Sequence, residues 1–257
     1  MGVGIGGLAI LIIAALATSA LSAVIGMGGG ILMLAVLFSF LEHGEAIPAH
    51  AAIQICSNGS RVLVYLRNVH WGTIRRFAFG ALPGSAAGCL FLWKLGELGA
   101  EKDPYLKMAV GIYVLAATFL PKPKKQVTSF KWWDFPLLGF VAGTASLTVG
   151  AIGPLIAPLF ARRDYVKEKL IATKAVCQLS LHVLKIPAFL LLGTFEWKEL
   201  SLLTLCLMVV VVPGTFLGKR VQRHVSAGLF VTLYRIALTV AGVKVLSHDG
   251  LYKLLQS

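Results

Sequence analysis

Long apolar runs follow one another along this chain and are separated by short polar segments. They cover residues 3–41, 77–93, 105–121, 135–160, 186–192 with 200–218, and 227–246. Many of these runs reach the roughly 20 residues that an α-helix needs to cross the hydrocarbon core of a bilayer. No segment alternates apolar and polar residues as the strands of an outer-membrane barrel do. The pattern therefore predicts an all-α polytopic membrane protein.

Helical periodicity predicts five helical segments on each side of a polar linker. In the first half they span residues 4–24, 28–41, 48–66, 75–94 and 104–121. In the second half they span residues 134–148, 153–161, 168–192, 198–218 and 227–247. The linker covers residues 122–133, and Pro121 and Pro123 stop any helix at its start. These bounds divide the chain into a first half, 1–121, and a second half, 134–257.

Each half begins with a pair of helices that a glycine cluster interrupts. The clusters are "GMGGG" at 26–30 and "VGAIGP" at 149–154. Glycine costs roughly 1 kcal/mol against alanine inside a helix, so we expect each helix to stop and restart there. Freed backbone N–H groups are tolerated at membrane depth only beside protein or a water-filled cavity, and they favour anions. The predicted substrate-binding glycines are Gly28, Gly29, Gly30, Gly150 and Gly153. Close helix packing through small residues is the alternative explanation.

The two halves match each other at a fixed offset. Gly150 lies 124 residues after Gly26, and Gly153 lies 124 residues after Gly29. The same offset pairs four polar residues of one helix with four of another. These pairs are His50 with Lys174, Gln54 with Gln178, Asn58 with His182, and Arg61 with Lys185. Because each half has an odd number of segments, the second half enters the membrane from the opposite side. Such inverted repeats are typical of secondary transporters.

The four polar residues of each helix recur at steps of four, four and three, which places them on one face. A polar stripe in a membrane helix must face an interior, and its ionisable members are functional candidates. The predicted ligand contacts in these stripes are Gln54, Asn58, Gln178 and His182. The predicted electrostatic support comes from His50, Arg61, Lys174 and Lys185. For His50 and Lys174, exposure to lipid headgroups at a helix end is the alternative.

Charge within or near the predicted spans is positive. Arg61, Lys185 and Arg235 lie there, whereas no Asp or Glu lies convincingly at mid-membrane. A basic cavity without carboxylates suits a small anionic substrate held between the two halves. Arg61 and Lys185 each lie seven residues beyond the glutamine of their stripe, which is about two turns or roughly 10 Å. We therefore expect them to attract the anion from a distance.

The net charge of +13 is explained by its location. Only 14% of the 257 residues are charged, against about a quarter in soluble domains. Basic residues concentrate in four loops, at 67–76, 122–131, 162–169 and 219–226. The positive-inside rule makes these loops cytoplasmic and both termini extracytoplasmic, in a cytoplasmic (inner) membrane. The lipid bilayer thus accounts for the charge without a nucleic-acid partner.

The cysteines give no sign of redox or metal chemistry. Cys56, Cys89, Cys177 and Cys206 lie singly in apolar or membrane-depth sequence, without a CxxC pair. We interpret them as buried free thiols and predict neither a metal nor a cofactor. The sequence neither requires nor excludes a homodimer.

Three motifs occur in order and are echoed in the second half: "GMGGGILM" (26–33), "HAAIQICSN" (50–58) and "PGSAAG" (83–88). In this respect the chain resembles the TauE/SafE family of sulfite and organosulfonate transporters, which includes toluenesulfonate uptake permeases. The resemblance implies a non-enzymatic permease for a sulfonate, such as toluenesulfonate or sulfoacetate, or for sulfite. The residues alone leave an anion channel or a membrane-embedded transferase as alternatives. A transferase would need a catalytic His/Asp or metal-ligand set, and the histidines lack carboxylates at useful spacing.

Overall fold

The computed structural model describes residues 4–26, 28–41, 43–96, 102–119, 131–161, 165, 167–193, 202–222, 232, 235, 236, 239, 240 and 242–252. Over these residues the protein is all-helical, as predicted. The helices are α1 (Ile5–Ile25), α2 (Gly29–Leu37), α3 (His43–Val64), α4 (Trp71–Gly96), α5 (Lys102–Phe119), α6 (Asp134–Val149), α7 (Gly153–Ala161), α8 (Lys167–Leu191) and α9 (Leu202–Val221). A 3-10 turn, Leu66–Asn68, follows α3, and a π-helical segment spans Val245–Tyr252.

The predicted bounds differ most at α3. This helix begins at His43 rather than near residue 48, so that Pro48 lies inside it. Proline lacks only the N–H that would bond four residues back, and here that partner is the Gly44 carbonyl, close to the start of the helix. Pro48 is therefore tolerated in the early part of α3, and it does not mark the first residue of the helix, although the sequence had suggested that it does. Residues 121–130, 194–200 and 223–230, which include most of the predicted linker, lie outside the described residues.

Both predicted helix breaks are present. The chain leaves α1 through Gly26, with φ of 79°, and leaves α6 through Gly150, with φ of 78°. Gly28, with φ of 96°, then leads into α2. Positive φ is a conformation that glycine adopts at little cost. The helices α2 (Gly29–Leu37) and α7 (Gly153–Ala161) begin 124 residues apart and also end 124 residues apart.

The outer faces of the helices are apolar. Among the described residues, α1, α4, α8 and α9 are long and apolar enough to cross a membrane, and α6 is a shorter apolar helix. Phe79 on α4 and Val209 on α9 are 73% and 71% exposed, while α3 and α8 bury polar and charged side chains. Large uncovered apolar surface around a polar interior is what surrounding lipid requires.

Two helix pairs pack with their backbones in contact through glycine. In the first pair, α4 meets α6, and a Cβ on any of five glycines would collide with the backbone of the partner helix. These glycines are Gly80, Gly84, Gly88, Gly139 and Gly143. In the second pair, Gly214 and Gly218 of α9 lie against the backbone of α1 at Leu16 and Ala20. Small residues permit such close approach of membrane helices.

A buried hydroxyl cluster fastens α1 and α9 to α3. Ser19 donates to the Val211 carbonyl at 2.6 Å and lies 2.9 Å from the Thr215 hydroxyl and 3.2 Å from that of Ser57. Ser60 lies 2.8 Å from Thr215. These bonds satisfy polar groups that lipid could not satisfy, and they fix α3 in the interior, where it packs against α8.

Candidate functional site

A small cavity lies where α3 and α8 meet the two helix breaks. Eight of the residues singled out from the sequence line it: Gly28, Gly30, His50, Gln54, Arg61, Gly153, Gln178 and His182. Sequence reasoning missed five others: Ser22, Ile31, Ala151, Ile152 and Pro154. The cavity has room for about one water molecule. A ligand larger than a water molecule therefore fits only after the lining residues move apart.

The stripe on α3 is bonded within itself. The Asn58 amide donates to the Gln54 carbonyl at 2.8 Å and to its Oε1 at 3.3 Å, and Asn58 Oδ1 accepts from Arg61 Nη2 at 2.7 Å. Arg61 Nε also donates to the Ser57 carbonyl at 3.1 Å. His50 Nε2 lies 2.8 Å from the Gly30 carbonyl of α2. Asn58 does not itself line the cavity but connects two residues that do.

The stripe on α8 is bonded far less completely. Lys174 Nζ, Gln178 Oε1 and His182 Nδ1 are buried without a hydrogen-bond partner. Lys185 differs from them because its Nζ donates to the Gly150 carbonyl. Since buried polar atoms are nearly always paired in folded proteins, the unpaired atoms of α8 mark a place where a ligand can supply the missing bonds.

The two stripes meet through their histidines. The rings of His50 and His182 lie 5.5 Å apart between centroids at an interplanar angle of 71°. His50 and Lys174 are both 0% exposed. Exposure of these two residues to lipid headgroups, the alternative left open by the sequence, is therefore wrong.

Arg61 and Lys185 do not share one environment, although they are equivalent at the 124-residue offset. Arg61 lines the cavity together with Gln54, because its side chain folds back along α3 to bond Ser57 and Asn58. Long side chains on a helix point toward its N-terminus, which shortens the two-turn separation expected from the Cα positions. Lys185 is not among the residues that line the cavity.

The glycines also divide into two groups. A Cβ on Gly30 would lie 3.3 Å from Gln54 Oε1, and one on Gly153 would lie 3.0 Å from Gln178 Nε2. These glycines leave space for the glutamine side chains. Gly29 instead lies against the backbone of Thr18 on α1, so that its contacts are those of helix packing. Gly150, although predicted to bind substrate, does not line the cavity, and its carbonyl accepts a bond from Lys185.

The charge of the interior has one sign. Among the described residues, the buried charged side chains are Arg61, Lys174 and Lys185, and no Asp or Glu is buried. Burying a charge without a partner is expensive, so this interior favours a bound anion. Within the same residues no group of His, Cys, Asp and Glu is arranged to hold a metal ion. All four cysteines are free thiols, but only Cys177 is buried, so the expectation that Cys56, Cys89 and Cys206 are buried is wrong.

Apolar outer faces and a basic interior without buried carboxylates in the described part define a multi-pass membrane protein suited to small anions. The chain matches the family profile described as "Sulfite exporter TauE/SafE" over residues 11–245. It therefore belongs to the TauE/SafE family, which confirms the resemblance seen in the sequence motifs. No match was found among curated proteins. Membership of this family makes the chain a membrane transport protein for which sulfite or a related sulfur-containing anion is the fitting substrate class.

Proposed function

We propose that this protein is a secondary transporter that moves a small sulfur-containing anion across the cytoplasmic membrane. The anion is a sulfonate, such as toluenesulfonate or sulfoacetate, or sulfite, and it is held at the midplane between α3 and α8. The observation that carries the proposal is the set of buried cations on α3 and α8, of which Arg61 lines the cavity and Lys174 and Lys185 do not, without a buried carboxylate among the described residues.

The physical argument is one of charge compensation. The Lys174 ammonium is fully buried and has no hydrogen-bond partner, and Arg61 is its electrostatic neighbour. Two like charges near each other in a low-dielectric interior repel. An anion between the stripes offsets this repulsion and accepts the unused N–H donors, so binding stabilises an interior that is otherwise unfavourable.

Inverted repeats form the second part of the proposal. A Cβ on Gly26 would contact Ile171, while one on Gly150 would contact Ile47, and Ile171 lies 124 residues after Ile47. Equivalent residues thus contact each other reciprocally, as a pseudo-two-fold axis in the membrane plane requires. The helix pairs are reciprocal in the same way: α6 is the equivalent of α1 and α9 is the equivalent of α4, so the α1–α9 contact corresponds to the α4–α6 contact. Both termini are extracytoplasmic in this arrangement, and the basic loops are cytoplasmic.

The cavity is closed in this conformation, as a carrier between its open states requires. A space for about one water molecule does not form a continuous path for an anion. Transport then requires that the cavity open toward one side at a time, which is the behaviour of inverted-repeat carriers. An anion channel needs a passage that stays open while many ions cross.

Counterflow in proteoliposomes tests the proposal. Vesicles loaded with unlabelled sulfite or toluenesulfonate should transiently accumulate the labelled anion from outside, with a saturable rate. The variant Lys174→Met should lose most of this accumulation. A matched control is Lys219→Met, because Lys219 is exposed and bonds the Val64 carbonyl at the end of α3, and it should transport normally.

Two results would contradict the proposal. Non-saturable flux without counterflow would identify a channel. Absence of flux and of binding for sulfite, sulfoacetate and aromatic sulfonates alike would exclude the proposed substrate class.

A further inference from the structure

We infer that the carrier takes up a proton together with its anion, and that Nδ1 of His50 receives this proton. The inference rests on the proposed function, since it concerns the same cavity. It adds a second transported species, the proton, and names the atom that binds it.

The tautomer of His50 is fixed by its partner. Nε2 lies 2.8 Å from the carbonyl oxygen of Gly30, and a carbonyl only accepts hydrogen bonds. Nε2 must therefore carry a hydrogen, and in the neutral ring Nδ1 is left as a bare acceptor. This Nδ1 atom is buried and has no hydrogen-bond partner.

An anion oxygen and a bare Nδ1 cannot bond to each other, since both are acceptors. When Nδ1 takes a proton from solvent, the ring becomes an imidazolium that donates from Nε2 to Gly30 and from Nδ1 to the anion. The step adds one positive charge to a cavity that has just received a negative one. Anion binding and proton uptake therefore favour each other.

The surroundings of His50 contain several charged groups but no buried carboxylate among the described residues. From α8, Lys185 interacts electrostatically with the ring, and His182 contacts it edge-on. The α2 helix contributes only the Gly30 carbonyl, since it carries no titratable side chain. From α9, Lys219 reaches the far end of α3 at the Val64 carbonyl. Arg61 lines the same cavity, and a bound anion offsets the repulsion that these cations exert on an imidazolium.

The second half of the chain supplies the decisive variant. The residue equivalent to His50 at the 124-residue offset is Lys174, which the fold buries completely. His50→Lys therefore places an ammonium where the other half already has one. The histidine is charged only when it binds a proton, whereas the lysine ammonium carries its charge without taking up a proton from solution when the anion binds. The fold already accommodates an ammonium at the equivalent position, Lys174.

Calorimetry of anion binding in buffers with different ionisation enthalpies measures the protons taken up. Toluenesulfonate is the suitable probe because it stays fully ionised around neutral pH, whereas sulfite itself titrates there. The wild-type protein should take up as much as about one proton per anion, and its affinity should rise as pH falls, by up to about tenfold per pH unit. The sign follows because the protonated state binds the anion more tightly.

In His50→Lys the proton uptake should disappear and the affinity should no longer depend on pH in this range. His50→Gln provides a second variant, because its amide can still donate to Gly30. His70→Asn is the matched control: His70 bonds Thr73 at the start of α4 and does not line the cavity. This control should keep the wild-type proton uptake.

The outcomes separate the two proposals. Toluenesulfonate binding by the wild type without proton uptake overturns the inference and leaves the proposed function intact. Failure of the wild type to bind any of the sulfur-containing anions overturns the proposed function itself. Proton uptake that persists in both His50 variants, but is lost in His182→Gln or Lys174→Gln, assigns the proton to another residue and overturns the role of His50.

Discussion

Equivalent positions in the two halves of this chain are bonded in different ways. In the first half, Asn58 joins Gln54 to Arg61, so the stripe on α3 is held by its own hydrogen bonds. In the second half, Lys174 and Gln178 keep buried polar atoms without partners. The α3 stripe is thus already fixed in position before a ligand arrives. Among the buried polar atoms of the α3 stripe, only His50 Nδ1 has no partner, whereas the α8 stripe leaves Lys174 Nζ, Gln178 Oε1 and His182 Nδ1 unpaired.

This difference assigns separate contributions to the two helices. A fixed wall lowers the entropy lost when an anion is bound, whereas the unpaired Lys174 ammonium can donate a charge-assisted bond that is about twice as strong as a neutral one. The position of the bound anion should therefore depend mainly on α3, and its new hydrogen bonds should come mainly from α8. Substitutions at matched positions can test this division.

The largest contrast is expected between Gly29→Ala and Gly153→Ala. A Cβ at Gly29 would collide with the backbone of Thr18, so α2 and α1 must separate, and such overpacking costs about 1–3 kcal/mol or more. A Cβ at Gly153 would meet only the amide of Gln178, at 3.0 Å. We expect the first variant to lose the folded protein and the second to stay folded with weakened anion binding. Thermal unfolding in detergent and calorimetry measure the two effects, and equal thermal stability of the variants would remove the contrast.

The next contrast concerns the glutamines. Gln54→Leu and Gln178→Leu should each remove detectable anion binding, because a buried anion oxygen left unpaired costs about 1–3 kcal/mol or more. Their stabilities should differ. Gln54→Leu deprives Asn58 of its side-chain acceptor and lowers the unfolding temperature, whereas Gln178→Leu removes an unpaired buried oxygen and does not lower it. Normal binding by both variants, with loss in Arg61→Met alone, would move the anion toward the C-terminal end of α3.

The smallest contrast is expected between Arg61 and Lys185, which are the last residues of the two stripes. Arg61 lines the cavity, whereas Lys185 is occupied by the Gly150 carbonyl. Arg61→Met should weaken anion affinity by roughly tenfold, as expected from a lost charge-assisted hydrogen bond, and Lys185→Met should weaken it less. The order of preference among sulfonates should be unchanged in both. A dissociation constant measured for three sulfonates per variant checks this, and a larger effect at Lys185 would contradict the assignment.

Much of the site followed from spacing alone. The steps of four, four and three placed both stripes on single helix faces, and the 124-residue offset identified Gly26 and Gly150, which both adopt positive φ. Spacing along the chain does not show which residue of another helix each side chain or glycine contacts. It could not distinguish Gly29, which packs on α1, from Gly30, which faces Gln54. Nor could it give the side-chain direction that brings Arg61 to the cavity.

One missed residue carried a signal in the sequence. Ser22 lines the cavity, and Ser146 stands 124 residues after it. Each accepts, through its carbonyl, a bond from the glycine that ends its helix, at 2.8 Å for Gly26 and 3.1 Å for Gly150. A comparison of the two halves that included α1 and α6 would have found Ser22 and Ser146.

The glycine-mediated pairing of α4 with α6 and of α1 with α9 has a mechanical consequence. Each pair joins a helix from one half of the sequence to a helix from the other, with backbones too close to slide freely. We therefore expect each pair to move as one unit that combines helices from both halves of the chain. When the cavity widens to admit its cargo, we expect the α4–α6 unit and the α1–α9 unit to tilt as blocks around α3 and α8.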